Sequence, residues 1–165
     1  MAESFRAKLT ASITADAAGD FGSLPTDFPS LDVLFQEGTG ANQVDVCIFD
    51  TVTLAASGVT NLDLQALTGA DGASKSLAEV RAILIRNRSG NSSKLTLSPN
   101  STNGWTSFLQ DATDVADVPV GFTLVLIGGT DGALTVGASN KVLDITNTDG
   151  SNAATYDIMI AGTSA

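Results

Sequence analysis

Val80-Arg81-Ala82-Ile83-Leu84-Ile85-Arg86 and Phe122-Thr123-Leu124-Val125-Leu126-Ile127 are short apolar runs. At their centres no polar residue marks a solvent side, so both read as strands buried on two faces, the condition of a central strand in a packed sheet. Working outward, similar runs rich in Val, Ile, Leu and Thr recur at residues 31–36, 44–54, 62–67, 94–97, 133–136, 142–146 and 156–160. Between them lie Gly38-Thr39-Gly40, Asp71-Gly72, Ser89-Gly90-Asn91, Gly128-Gly129, Asp131-Gly132 and Asp149-Gly150. These residues supply the positive-φ positions that tight turns need. No stretch offers a long capped helical stripe, and no segment repeats at the 20–50-residue period of a solenoid or propeller. The expected fold is all-β: a two-sheet antiparallel β-sandwich, jelly-roll-like, with an extended N-terminal arm.

The arm is residues 1–37 and the sandwich residues 38–165. The first segment holds four of the seven phenylalanines, Phe5, Phe21, Phe28 and Phe35, and two of the four prolines, Pro25 and Pro29. Phe5, Leu9 and Ile13 have helical spacing, but the Thr-rich alternation over residues 8–14 favours a strand. In Phe21-Gly22-Ser23-Leu24-Pro25-Thr26-Asp27-Phe28-Pro29-Ser30-Leu31 the prolines forbid regular ladder pairing while the apolar residues still need burial. Such a segment lies across a surface, its own or a neighbour's. Phe21, Leu24, Phe28 and Leu31 are therefore candidate contact residues.

At 165 residues, with 43% apolar and 16% charged, the chain suits one folded domain and not disorder along its whole length. A formal net charge of -10 sets up a field that repels nucleic acid and anionic lipid, so neither is an expected partner. No run approaches the ~20 apolar residues of a membrane span, and no signal-peptide pattern opens the chain, so a soluble, intracellularly made protein is expected. Five of the eight basic residues, Lys75, Arg81, Arg86, Arg88 and Lys94, crowd into residues 75–94. They are either a patch for an acidic partner surface, with Arg81, Arg86 and Arg88 as its candidates, or the charged ends of a solvated strand.

Histidine is absent from the sequence, which removes the commonest general base and the imidazole-dependent triads. No enzyme activity, cofactor or metal is expected. Asp71, Asp131 and Asp149 each precede a glycine and read as turn residues. The acidic loop at residues 111–117 lacks the central glycine and distal glutamate of an EF-hand. Cys47 is the only cysteine, so no intrachain disulfide can form, and it reads as a small buried hydrophobe. Asn87, Asn91 and Asn100 stand in glycosylation-type sequons and read as polar loop residues. Trp105, in Asn103-Gly104-Trp105-Thr106, either stacks on a sugar ring or anchors an interface when exposed, or caps the sandwich when buried; burial is preferred for the only tryptophan of an aromatic-poor core.

From residue 38 onward the order of motifs resembles small structural virion proteins of tailed bacteriophages. The elements that carry the likeness are Gly38-Thr39-Gly40-Ala41-Asn42-Gln43-Val44-Asp45, Asp50-Thr51-Val52-Thr53-Leu54-Ala55-Ala56-Ser57, Leu62-Asp63-Leu64, Val80-Arg81-Ala82-Ile83-Leu84-Ile85-Arg86-Asn87, Leu134-Thr135-Val136-Gly137 and Tyr156-Asp157-Ile158-Met159-Ile160-Ala161-Gly162. One departure is Pro119-Val120-Gly121-Phe122, where such proteins carry Pro-Gly-Gly before the apolar strand. The resemblance implies a jelly-roll-like sandwich on the virion and brings no catalytic residue. Given that likeness, the acidic balance and the apolar arm at residues 1–37 fit a capsid decoration or cement protein that is made in the host cytoplasm and binds the major capsid protein on the outer capsid surface, and the resemblance implies self-association as a homotrimer. The alternative is a tail-fibre or spike module that recognises host glycans.

Overall fold

The computed structural model describes residues 35–69, 71–128 and 132–165. The readings that fall on residues 1–34, including Phe21, Leu24, Phe28 and Leu31, lie outside the described residues, as does Asp131. Eight strands carry the architecture: β1 (Val46–Leu54), β2 (Val59–Asp63), β3 (Leu77–Asn87), β4 (Leu95–Pro99), β5 (Ala116–Val118), β6 (Thr123–Ile127), β7 (Val142–Asn147) and β8 (Ala154–Ser164). Among the described residues no helix is long and apolar enough to cross a membrane.

The pairing is nested. β1 pairs with β8, β2 with β7, β3 with β6 and β4 with β5, each antiparallel, as in one long hairpin whose first strand returns to its last. Rolling that hairpin up brings β3 beside β8 and β4 beside β7. The results are two sheets of order β6-β3-β8-β1 and β2-β7-β4-β5. Eight antiparallel strands wound in this way into two facing sheets are a jelly roll, as the strand spacing implied. The short strand Leu134–Thr135 extends the first sheet by pairing with Val80 and Glu79 of β3.

The two sheets face each other through a single core. Ile83 and Ile85 of β3 and Tyr156, Ile158 and Ile160 of β8 meet Leu95 and Leu97 of β4 and Leu143 and Ile145 of β7. Strict alternation of buried and half-buried residues in β4 and β7 is the mark of a sheet with one covered face. Ala82 to Ile85 do sit in a central strand, since β3 lies between β6 and β8. The run at residues 122–127 does not: β6 is an edge strand, with Thr123 exposed and residues 124–127 half-buried. Leu124 and Leu126 pack on the core, whereas the alternate residues, Val125 and Ile127, face outward. Apolar residues on both phases thus mark two surfaces to cover, not a central position.

Two local departures have clear causes. The run at residues 62–67 breaks because Ala66 N–H donates to Asp63 O at 3.0 Å, turning the chain at Leu64 before the short strand Leu67–Thr68. The acidic segment at residues 111–117 ends in a strand, since Ala116, Asp117 and Val118 pair with Leu97, Thr96 and Leu95. In the departure motif, Phe122 N–H donates to Pro119 O at 3.0 Å and Gly121 takes a φ of +78°. A single glycine therefore meets the positive-φ demand of this turn.

Candidate assembly surface

The outer face of the first sheet is set by its register. Side chains alternate along each strand, so Cys47, Ala161, Ala82 and Ile127 form one outward row across β1, β8, β3 and β6. The next row is Phe49, Met159, Leu84 and Val125, and the third is Thr51, Asp157, Arg86 and Thr123. Two apolar rows on the solvent side of a sheet invert the usual pattern of core-facing apolar and outward polar residues.

The first row is covered from within the described chain. Phe35 and Val44 pack on Ala82 and Ala161, with Cys47, Ile127 and Met159 at the margin. Cys47 is half-buried and not fully buried as read from sequence, and its partial burial pushes the thiol up to about 11, so it stays protonated at neutral pH. The second row is open: Phe49 is 66% exposed, and Met159, Leu84 and Val125 are half-buried. Between the second and third rows lies a shallow hollow of about 610 Å³ lined by Phe49, Asp50, Thr51, Leu84, Arg86, Asp157 and Met159.

The third row is charged. Asp157 accepts from Arg86 Nε at 2.8 Å, from Arg88 Nη2 at 2.5 Å and from Thr51 Oγ1 at 2.8 Å. The Arg88 guanidinium, with Thr51 and Arg86 beside it, holds the Asp157 carboxyl well below the usual carboxylate range. Two guanidiniums converge on one carboxylate here, and the carboxylate of Asp50, which accepts from the Thr51 N–H, lines the same hollow, so two cations and two carboxylates stand beside the open apolar row. Both arginine side chains keep about half their surface in solvent, at 55% and 44%.

The other basic residues of the 75–94 stretch are dispersed. Lys75 pairs with Asp71 at 3.2 Å and Lys94 with Asp117 at 2.6 Å. Arg81 is buried, pairing with Glu79 at 2.7 Å and donating to Gly132 O at 3.2 Å. It is in phase with the inward residues Ile83 and Ile85, at the point where the β3–β8 register shifts between Ala161 and Gly162. Of the three arginines named from sequence, then, Arg86 and Arg88 come together on the surface and Arg81 is withdrawn from it.

Trp105 is fully buried, as preferred from sequence. Its Nε1 donates to Thr135 O at 2.9 Å and its ring packs on Phe108 with centroids 5.2 Å apart. No face of the indole is left to stack on a sugar. Asn87 corrects the view of the sequon residues as simple loop polars. It ends β3 fully buried, donating from Nδ2 to Ser93 O at 3.1 Å and to Val118 O at 2.9 Å, so it ties the first sheet to the second. Asn91 donates to Thr155 O at 2.7 Å, and Asn100 to Asp144 at 2.9 Å. The turn carboxylates act on their own backbones: Asp71 accepts from Ala73 N–H, and Asp149 from Ser151 and Asn152 N–H. Asp111 and Asp114 are likewise engaged within their loop, with Thr113 and with the Asp111 N–H.

No family model and no curated protein matches the chain. Among solved structures it is similar to a chain of Bacillus endospore appendages described as disulfide-linked pili, at 11% identity and a TM-score of 0.35, covering 77% of this chain and 96% of that one. It is also similar to a chain of tomato aspermy virus, at 13% identity and a TM-score of 0.33, covering 80% of this chain and 86% of that one. At such scores the jelly-roll assignment rests on the strand pairing alone.

Proposed function

We propose that this chain is a non-enzymatic structural protein of a bacteriophage virion, a capsid decoration protein that packs its first sheet against the major capsid protein on the outer capsid surface. The observation that carries the reading is the open row Phe49, Met159, Leu84 and Val125 bordered by Arg86 and Arg88. An apolar centre with aromatic and Met side chains and an arginine rim is the composition of a protein–protein interface. The acidic balance of the chain suits the outside of a particle better than contact with its genome. Self-association, as a homotrimer, belongs to the same proposal and rests on the family resemblance. The glycan-recognising alternative loses its aromatic platform with the burial of Trp105.

The test is to add the purified protein to undecorated, expanded heads of the phage that encodes it. Binding should saturate at symmetric sites and raise the resistance of the heads to heat. Phe49→Asp, at a side chain with little to lose in the core, should abolish saturation while the buried Trp105 still reports a folded sandwich. Native protein that fails to bind heads, or Phe49→Asp that binds as well as native, overturns the assignment.

A further inference from the structure

We infer that Asp50 guards the free edge of the first sheet, and that without it β1 adds a second copy of this chain, edge to edge. β1 bonds to β8 on one side and, among the described residues, to no strand on the other. At nine residues it is longer than the other edge strands, β2, β6 and β5, which have five, five and three. A long edge without proline, lysine or glycine is a template for another chain, because its outward N–H and C=O groups repeat at the spacing of a ladder. In Val46-Cys47-Ile48-Phe49-Asp50-Thr51-Val52-Thr53-Leu54 the one charged residue is Asp50.

Two observations make that residue the guard. The inward phase of β1 runs Val46, Ile48, Asp50, Val52 and Leu54; four of these are buried or half-buried, and Asp50 is exposed. A carboxylate thus stands where the alternation calls for an apolar residue, an arrangement that blunts an edge. Its hydrogen bond is also local, since it accepts from the Thr51 N–H at 2.7 Å. In an antiparallel ladder alternate residues turn their N–H away from the partner strand, and the Thr51 N–H, taken by a side chain of its own strand, is one of these. Asp50 therefore occupies a donor near the middle of the free edge, between those that Phe49 and Thr53 present in the same phase.

The carboxylate spoils the pairing itself as well. Two copies of β1 related by a two-fold axis pair antiparallel, with inward residues opposite inward residues. Registers centred on the middle of the strand then set Asp50 opposite Asp50, Ile48 or Val52 of the second copy. The first brings like charges together, the others press a carboxylate against an apolar side chain, and each must break the Asp50–Thr51 contact to free the donor. Removing the carboxylate lifts all of these costs at once. The inference concerns the edge of the sheet, whereas the virion assignment rests on its face, so the two fail independently.

The test compares the native full chain with Asp50→Val, Asp50→Thr, Asp50→Lys and Asp50→Val combined with Thr53→Pro. Mass is read by light scattering over a range of concentrations, with emission from the buried Trp105 as the check of a native fold. The mass of Asp50→Val should rise with concentration to about twice that of the native chain or more, and Asp50→Thr, which adds no apolar surface, should move in the same direction. Asp50→Lys keeps a charge on the edge and should match the native chain. Thr53→Pro removes an N–H on the free side, where an edge strand tolerates proline, and should return Asp50→Val to the native mass. If Asp50→Val and Asp50→Thr both stay at the native mass, the edge needs no guard and the inference is overturned. Association of Asp50→Val that Thr53→Pro leaves unchanged also overturns it, because the contact is then made by the new apolar side chain and not by the ladder.

Discussion

Replacing Asn87 by leucine should destabilise the chain by about 2–4 kcal/mol, although the substitution makes the core more apolar. The side chain is fully buried at the end of β3, in phase with the inward residues Ile83 and Ile85. Leucine has the same heavy-atom count and branching as asparagine but bulkier methyl groups, so no cavity opens and the loss is chiefly that of satisfied polar groups. Val118 O lies in the interior and would be stranded, at a cost of about 1–3 kcal/mol, while Ser93 O is near enough to solvent that only the net value of a hydrogen bond, about 0.5–1.5 kcal/mol, is lost. That total is a sizeable part of a domain stability of about 5–15 kcal/mol. With a urea dependence of about 2 kcal/mol per molar, the unfolding midpoint should fall by about 1–2 M. Trp105, the only tryptophan and fully buried, reports the transition directly. Asn87→Asp sharpens the test, because at pH 7 a carboxylate would face two carbonyl oxygens; its folded-state pKa is then raised, and the deficit should shrink as pH falls through that raised value and the new group becomes a donor. A midpoint shift below about 0.3 M for Asn87→Leu, or native-like stability of Asn87→Asp at pH 7, would refute the account of Asn87 as the tie between sheets.

Gly162→Ala should lower stability by about 1–3 kcal/mol in the same titration, since a Cβ there would stand 2.0 Å from Glu79 O, a backbone atom within the β3–β8 bulge; an unchanged midpoint would mean the bulge can open. Asp157→Asn should lower the thermal midpoint at pH 7. Because the folded-state pKa of Asp157 is depressed, its contribution is full above the ordinary carboxylate value of about 3.9 and fades as pH falls below it. The two midpoints should therefore converge between about pH 4 and pH 2, and midpoints that stay equally far apart over that range would sink the reading of the Arg86–Asp157–Arg88 cluster.

Much of the architecture was legible because strand alternation and turn chemistry are local. The runs at residues 142–146 and 156–160 became β7 and β8 with only their ends extended, and the turn at Asp149-Gly150 fell where the side chain of Asp149 holds the backbone. What stayed hidden depended on partners distant in sequence. Ala116–Val118 carries too few residues to show a period, and it is a strand because Leu95 to Leu97 of β4 offer it a ladder. Asn87 and Asn147 gave a usable signal: each continues the inward phase of its strand, after Ile85 and after Ile145, where an apolar residue is expected. A polar residue in phase with a core row is a buried hydrogen-bonding post more often than a loop polar. Asn147 fits that rule, donating to Ala55 O at 2.9 Å and Asn152 O at 2.8 Å.

The candidate surface was half legible for a related reason. Arg86 and Arg88 could be named from sequence, but their convergence on Asp157 needs the β3–β8 register, whereas Arg81, two residues before Ile83, stands in the inward phase of its strand and is buried. The apolar row is instructive in another way. Ala82 to Ile85 and residues 122–127 look alike in sequence, and both are apolar on two phases, yet only the first is central. Their outward phases, Leu84 and Val125, lie side by side in the same row, next to Phe49 and Met159. A strand apolar on both phases therefore says that something covers both of its faces, and the jelly roll's own core accounts for one of them. Chain outside the eight strands covers part of the other, where Phe35 and Val44 pack on Ala82 and Ala161.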